Sequence, residues 1–252
     1  MTDRSASRIA AWHSALEARH RETLTFAEIR RALQALSSLY VARRDRLPRG
    51  KALDSAGKRA AFALFYGPLH FFTVREIVRA LRAAEPPLHR IVDLGCGTGA
   101  AGAAWATEAR GRPEISGIDV SGWAVGEAEW NLQTLRLTAA VRRGRLSEVR
   151  LGKPAEGIVL AYTVNELDVL EQRDLLGRLL AAHAAGSRVL VVEPIAKRPV
   201  PFWPVWSDAF RTAGGRSDEW RFPAELPESM RLLDKAAGLD HRELTARSLW
   251  LG

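Results

Sequence analysis

Ile91-Val92-Asp93-Leu94-Gly95-Cys96-Gly97-Thr98-Gly99 joins a short apolar run to a glycine-rich turn. The pattern predicts a strand over Arg90–Leu94 and a small-residue helix over Gly99–Glu108. Gly95 and Gly97 permit positive φ and leave room for a ligand to approach the backbone. Gly99 is expected to let the helix pack closely on the sheet. Amides at the start of that helix can receive a polar group. Asp119 follows Gly99 by 20 residues, at the end of a second expected strand, Glu114–Val120. There its carboxylate can accept hydrogen bonds from both hydroxyls of a ribose.

Beyond this turn, strands and helices alternate. A helix is expected over Ala124–Gln133, a weak strand over Ala139–Arg143, and a strongly apolar strand over Gly157–Tyr162. A helix over roughly Glu171–Ala185 and a buried strand over Arg188–Glu193 come next. The tail reads as a Pro-rich loop (Pro194, Pro199, Pro201, Pro204), a helix near Pro227–Ala237 and a last strand near Glu243–Leu251. Apolar strands spaced by helices imply an α/β, doubly wound, mostly parallel Rossmann-like sheet covered on both faces.

Residues 1–85 read instead as helical. Thr25 and Glu28 have capping-box spacing before Ile29, Leu33, Leu36 and Tyr40, and Thr73 and Glu76 repeat it before Ile77, Val78 and Leu81. Pro86 and Pro87 close this extension, so the expected division is an N-terminal helical extension over 1–87 and an α/β domain over 88–252. Charge follows the same division. The net charge is +8, yet residues 1–90 hold 17 of the 37 basic and 8 of the 29 acidic residues, a net of +9, which leaves −1 for the rest. The excess is densest across Arg43–Arg59, a segment suited to phosphates and so to RNA.

Composition excludes several classes. At 47% hydrophobic and 26% charged the chain is too apolar for a disordered protein. No apolar run approaches the roughly 18 residues of a membrane span, and the start carries no apolar signal core, so the expectation is a cytoplasmic protein with no membrane partner. One cysteine, Cys96, excludes an internal disulfide, a four-thiolate zinc site and a cysteine-ligated iron–sulfur cluster. The six histidines lack metal-ligand spacing, and no metal is expected. His70, in the aromatic stretch before the α/β domain, is a weak candidate for a pocket wall.

Two ligands suit the turn. Gly95, Gly97 and Ala100 also satisfy GxGxxA, the dinucleotide pattern. Asp93, two residues before the first glycine, separates them: it repels a pyrophosphate and attracts an ammonium beside a sulfonium, directly or through water. Asp93-Leu94-Gly95-Cys96-Gly97-Thr98-Gly99 resembles the first motif of the class I S-adenosylmethionine (SAM) methyltransferases, and Asp119 matches their ribose-binding acid. The resemblance implies SAM as cofactor. It places the adenine near Arg145 and Leu146, where many members carry an acid that is missing here, so that backbone groups would recognise the base. Val120 and Trp123 are candidate adenosine neighbours. Cys96, inside the turn, is expected to play a small apolar part.

The fourth strand leads into Tyr162-Thr163-Val164-Asn165-Glu166. Ligands of open α/β sheets bind beyond the carboxyl ends of the strands, so Tyr162, Asn165 and Glu166 are expected to face the methyl acceptor. Asn165 would orient it, and Glu166 would accept a proton or hydrogen-bond an amine; alternatively both cap the next helix. The Asn-Pro-Pro-Tyr motif of exocyclic-amine methyltransferases is absent.

More narrowly, the chain looks like the ribosomal small-subunit methyltransferase-like family of bacteria and mitochondria. The likeness rests on the Arg-rich and aromatic approach to the glycine turn, on Ala161–Leu167, on Val192-Glu193-Pro194, and on Asp218–Phe222 through Pro227-Glu228-Ser229 to Lys235. It implies methylation or assembly of small-subunit ribosomal RNA. Where many relatives carry cluster-binding cysteines, this chain has Pro194–Pro204 and, in the tail, Trp220 and Arg221. Phe202, Trp203 and Trp206 then read as an apolar lid, a base-stacking surface or core. The alternatives to an RNA methyltransferase are a small-molecule methyltransferase and a SAM-binding ribosome-assembly factor without turnover.

Overall fold

The computed structural model describes residues 2–42, 53–196 and 200–252. In chain order the elements are α1 (Thr2–Arg21), α2 (Phe26–Ala42), α3 (Ala56–Ala61), a π-helical turn (Phe62–Tyr66), α4 (Gly67–Ala80), β1 (Arg90–Leu94), α5 (Ala100–Glu108), β2 (Glu114–Asp119), α6 (Gly122–Thr134) and β3 (Ala139–Arg143). There follow β4 (Glu156–Ala161), α7 (Val169–Ala184), β5 (Arg188–Glu193), α8 (Trp203–Thr212), β6 (Arg216–Pro223), α9 (Glu228–Ala236) and β7 (Glu243–Leu251). They form two compact units, Met1–His70 with Pro223–Leu244, and Phe71–Phe222 with Thr245–Gly252. The sequence puts its boundary at 87. The units divide at 70/71, because the second half of α4 is pinned to α5: Glu108 takes Arg75 at 2.7 Å and Arg79 at 2.9 Å.

The first unit is helical. Ile9, Trp12 and Leu16 on α1 and Ile29, Leu33 and Leu36 on α2 are buried stripes at helical spacing. The expected capping box opens α2: Glu28 Oε2 accepts from the Thr25 amide at 2.8 Å and from its hydroxyl at 2.7 Å. The second expected box is not a cap. Thr73 lies buried inside α4, which runs on without a break from α3 through the π-helical turn, so the helix starts at the Ser55 cap. Asp234 on α9 accepts from both the His241 amide (2.9 Å) and His241 Nδ1 (2.6 Å), with the imidazole against Phe65.

The second unit is an α/β sandwich around a seven-stranded sheet of order β3-β2-β1-β4-β5-β7-β6. β1 pairs in parallel with β2 and β4, and β2–β3 and β4–β5 are also parallel. β7 runs antiparallel to β5. This is the expected mostly parallel, doubly wound sheet, and β1, β3, β5 and β7 occupy the expected residues. The winding reverses between β1 and β4, which opens a crevice at their carboxyl ends.

Two elements depart from expectation. The Pro-rich tail holds a helix, α8, opened by Pro204 in its first turn. Its Trp203, Trp206 and Phe210, with Phe202 before it, lie in the core beside Leu160, Val191 and Leu249. They are therefore neither lid nor base-stacking surface. β6 was not expected at all. It is an edge strand in which Trp220 and Phe222, stacked at 5.5 Å, alternate with exposed charged residues.

Replacing Trp206, 2% exposed, by Ala is expected to cost about 3–5 kcal/mol in denaturant unfolding; a lid residue would cost less than about 1 kcal/mol.

Candidate functional site

The turn after β1 is tied down from three sides. The amides of Gly95 and Cys96 donate to the Ile118 carbonyl of β2 at 2.9 and 3.0 Å. Asn131 of α6, buried, donates to the Thr98 carbonyl at 3.0 Å. Thr163, after β4, donates to the Gly95 carbonyl at 3.2 Å. Gly95 and Gly97 have φ of +70° and +51°, the freedom read from the sequence, and Gly99, read there for packing, is also left-handed at +79°. Their surroundings differ. A Cβ on Gly95 would stand 2.3 Å from Thr163 Cγ2, whereas one on Gly97 would meet nothing within 4 Å. Gly97 thus lines a cradle open to a ligand. Gly99 abuts Ala128 and Leu132 of α6; the close approach of helix to sheet falls to Gly102, whose Cβ would lie 2.8 Å from Asp93 Oδ2.

Asp119 and Asp93 hold this turn from opposite ends. Asp119, half-buried at the end of β2, accepts from the Gly97 amide through Oδ2 (2.9 Å) and from the Ser121 amide through Oδ1 (2.8 Å). Each oxygen keeps a lone pair for a hydroxyl. Asp93 is 1% exposed, with Oδ2 receiving the Gly102 amide at 2.8 Å and Oδ1 without a partner among the described residues. Burial, with Asp119 as a lesser cause, pushes its pKa up to about 7. A buried carboxylate left half-satisfied is a standing attraction for a cation. Being covered, it acts on a ligand through the turn rather than by open contact.

Cys96 is buried, and a Cβ on Gly117 of β2 would come within 3.1 Å of its sulfur. Burial and the two nearby aspartates raise its thiol pKa well above the usual value. It stays a neutral packing group, as the sequence suggests.

The other walls follow the strand ends. Val120, exposed after β2, accepts from Arg143 Nε through its carbonyl at 2.9 Å, and Trp123 lies half-buried on α6. After β3, Arg145 is exposed while Leu146 packs against the core. Arg178 of α7 clamps this stretch by donating to the carbonyls of Leu146 (3.2 Å) and Val149 (2.6 Å). Glu148, a few residues on, is engaged by Arg142 at 2.9 Å and by the Arg145 amide at 3.1 Å. After β4, Tyr162 takes φ +58°, uncommon for a residue with a side chain. Val164–Glu166 form a 3-10 turn, with Asn165 half-buried and Glu166 exposed. Neither caps α7: Asp168 does, with a capping box to Glu171.

The expected residues Asp93, Gly95, Cys96, Gly97, Gly99, Asp119, Val120, Arg145, Leu146, Tyr162, Asn165 and Glu166 thus all stand at the carboxyl end of the sheet, on β1 to β4 and the loops that leave them. His70 does not: its ring packs near Phe62 and Tyr66 in the helical unit. Asn131, Gly102 and Arg178, which hold the turn and the loop after β3, were not singled out. Among the described residues no group of His, Cys, Asp and Glu could hold a metal, and no helix is long and apolar enough to cross a membrane.

No family model and no curated protein matches the chain. Solved structures do. A candidate O-methyltransferase of Nostoc punctiforme PCC 73102 is 14% identical over 89% of this chain and 69% of its own, with TM-score 0.51. Magnesium protoporphyrin IX methyltransferase of Synechocystis PCC 6803, solved with SAM bound, is 14% identical over 90% and 97%, with TM-score 0.47. A SAM-dependent methyltransferase of Aquifex aeolicus is 14% identical over 71% and 89%, with TM-score 0.46. The likeness to the Nostoc protein shows a shared fold, a Rossmann-like, mostly parallel sheet flanked by helices.

Two experiments probe the site. Gly97→Ala is expected to cost only the left-handed backbone penalty, about 1–2 kcal/mol, and to abolish SAM binding in calorimetry; Gly95→Ala, pressed on Thr163, costs more. Asp93 gives a pH signature. Its folded pKa lies above the unfolded value, so its stabilising contribution is complete below about pH 4 and is lost as pH rises to about 7. Between pH 4 and 8 the ligand-free protein should lose stability on the order of 4 kcal/mol relative to Asp93→Asn, measured by denaturant unfolding; equal slopes would contradict the buried carboxylate.

Proposed function

We propose that the chain is a SAM-dependent methyltransferase, cytoplasmic, acting on RNA, with small-subunit ribosomal RNA as the favoured acceptor. The observation that carries the cofactor is the pairing of an open glycine cradle at Gly97 with the half-satisfied carboxylate of Asp93 beneath it. These residues fit the group. The Asp93 charge favours the ammonium and sulfonium, and repels the pyrophosphate of a dinucleotide. Asp119 would receive the ribose hydroxyls while it keeps the Gly97 amide in place. The stretch at Arg145 and Leu146 would meet the adenine through backbone groups.

SAM, when bound, supplies an electrophilic methyl group. What the chain must do is hold a nucleophile in line with it and exclude water, since alignment provides most of the rate in such displacements. Tyr162, Asn165 and Glu166 are suited to that task by their place at the end of β4. The left-handed backbone at Tyr162 is the kind of strain that clusters at functional sites. Asn165 orients the acceptor through its amide, and Glu166 takes its proton or hydrogen-bonds its amine.

The RNA assignment is supported by charge. The +9 of the first 90 residues is a sequence-independent attraction for phosphates. Of the densest segment, Arg43–Arg59, residues 43–52 lie outside the described residues; within the rest, Lys58 pairs with Asp54 at 2.9 Å. The ribosomal target is further supported by the likeness of Ala161–Leu167 and Asp218–Phe222 to the small-subunit family.

Incubation with methyl-labelled SAM and total RNA, followed by mass-spectrometric mapping, should place label in small-subunit ribosomal RNA, and Asp119→Ala should abolish it. Label confined to small metabolites would contradict the RNA acceptor, and SAM binding without any labelled product would point to an assembly factor.

A further inference from the structure

Glu193, the last residue of β5, is fully buried and takes no part in the cofactor cradle. Its Oε1 accepts from two successive amides, Val164 at 2.9 Å and Asn165 at 3.3 Å. Those amides open the 3-10 turn that carries Asn165 and Glu166. The Gln172 side chain also holds the turn, donating to the carbonyls of Val164 (3.0 Å) and Leu167 (3.1 Å). Glu193 thus fastens the start of the turn to the end of β5.

A buried carboxylate is costly unless charge or hydrogen bonds compensate it. Arg247 stands directly opposite Glu193 in the antiparallel β5–β7 register, which puts both side chains on one face of the sheet. Arg247 is also buried. Its guanidinium donates to the Ile195 carbonyl and to Glu219 Oε1 and lies 5.1 Å over the Trp203 ring. It thus fastens the start of the loop after β5 to α8 and β6. The two residues stiffen neighbouring parts of one sheet end, Glu193 the exit of β4 and Arg247 the exit of β5.

We propose that Glu193 is a positioning residue for the methyl acceptor: through the amides of Val164 and Asn165 it fixes where Asn165 and Glu166 meet the nucleophile, without touching the cofactor. This rests on the methyltransferase reading. It explains why a buried carboxylate follows the apolar run Val189–Val192 at the end of β5. A displacement of about 1 Å in such a turn is enough to lower the rate about 10²-fold.

The test uses the full chain with methyl-labelled SAM and two acceptor arms, total RNA and a small-molecule cell extract. Glu193→Ala should lower kcat about 10²-fold on whichever arm the wild type labels, with the SAM dissociation constant within about twofold by calorimetry. Amide exchange should quicken at Val164 and Asn165 and stay unchanged at Gly97. Glu193→Gln keeps an acceptor oxygen and should recover all but about tenfold of the rate. Parallel loss of SAM affinity and kcat would overturn the proposal, as would an unchanged kcat in Glu193→Ala or an absence of rescue by Gln. Label only in the small-molecule arm contradicts the RNA acceptor while leaving Glu193 tested there. A wild type that binds SAM and labels neither arm overturns the proposal together with the enzyme reading.

Discussion

The hydrogen bond from the Gly97 amide to Asp119 Oδ2, 2.9 Å long, ties the turn after β1 to the end of β2. Everything proposed for the site depends on it. With Gly97 at φ +51° and no atom within reach of a Cβ there, the turn stays open; with Asp119 drawn in, one carboxylate both shapes the cradle and borders it. Beneath the same turn Asp93 accepts, among the described residues, from the Gly102 amide alone, so a second carboxyl group sits where burial disfavours its charge and a bound cation would favour it. Two carboxylates around one glycine turn make a site that prefers a cation with sugar hydroxyls to a doubly charged phosphate bridge.

The sheet supplies the rest of the geometry. Reversal of the winding between β1 and β4 leaves their carboxyl ends uncovered, and the parallel register sets Asp93 beside Gly117 and Val159. The residues proposed for the cofactor come from β1, β2 and the loop after β3, and the turn proposed to face the acceptor comes from β4. Glu193 links that turn to β5, so the last parallel strand, which contributes nothing to the cradle, bears on the other half of the site.

Much of this was legible in the sequence because it is local. Glycines at 95, 97 and 99, the spacing to Asp119, and apolar runs of five or six residues each carry their meaning within a short window. The Thr25–Glu28 cap is equally local. Thr73–Glu76 has the same spacing, yet it sits inside a helix that runs on from the Ser55 cap, so the motif alone did not locate the helix start. α8 was hidden by its prolines, which read as loop, although Trp203, Trp206 and Phe210 recur at helical spacing and Pro204 is where a helix tolerates it. β6 was hidden because an edge strand carries charges on its open side; Trp220 and Phe222 gave the only period-two signal. What could not be read are long-range ties: Asn131 to Thr98, Arg178 to Leu146 and Glu193 to Val164 join residues 33, 32 and 29 apart. Buried polar residues find such partners by tertiary contact, and no spacing rule encodes them.

A nucleoside sulfonium occupying the cradle between Asp93 and Asp119 is the central proposal. Calorimetric titration of the purified protein with SAM, its demethylated product and a nicotinamide dinucleotide tests this most directly. Saturable heat with SAM and the demethylated product, and none with the dinucleotide, is the result predicted; heat with the dinucleotide alone would contradict it.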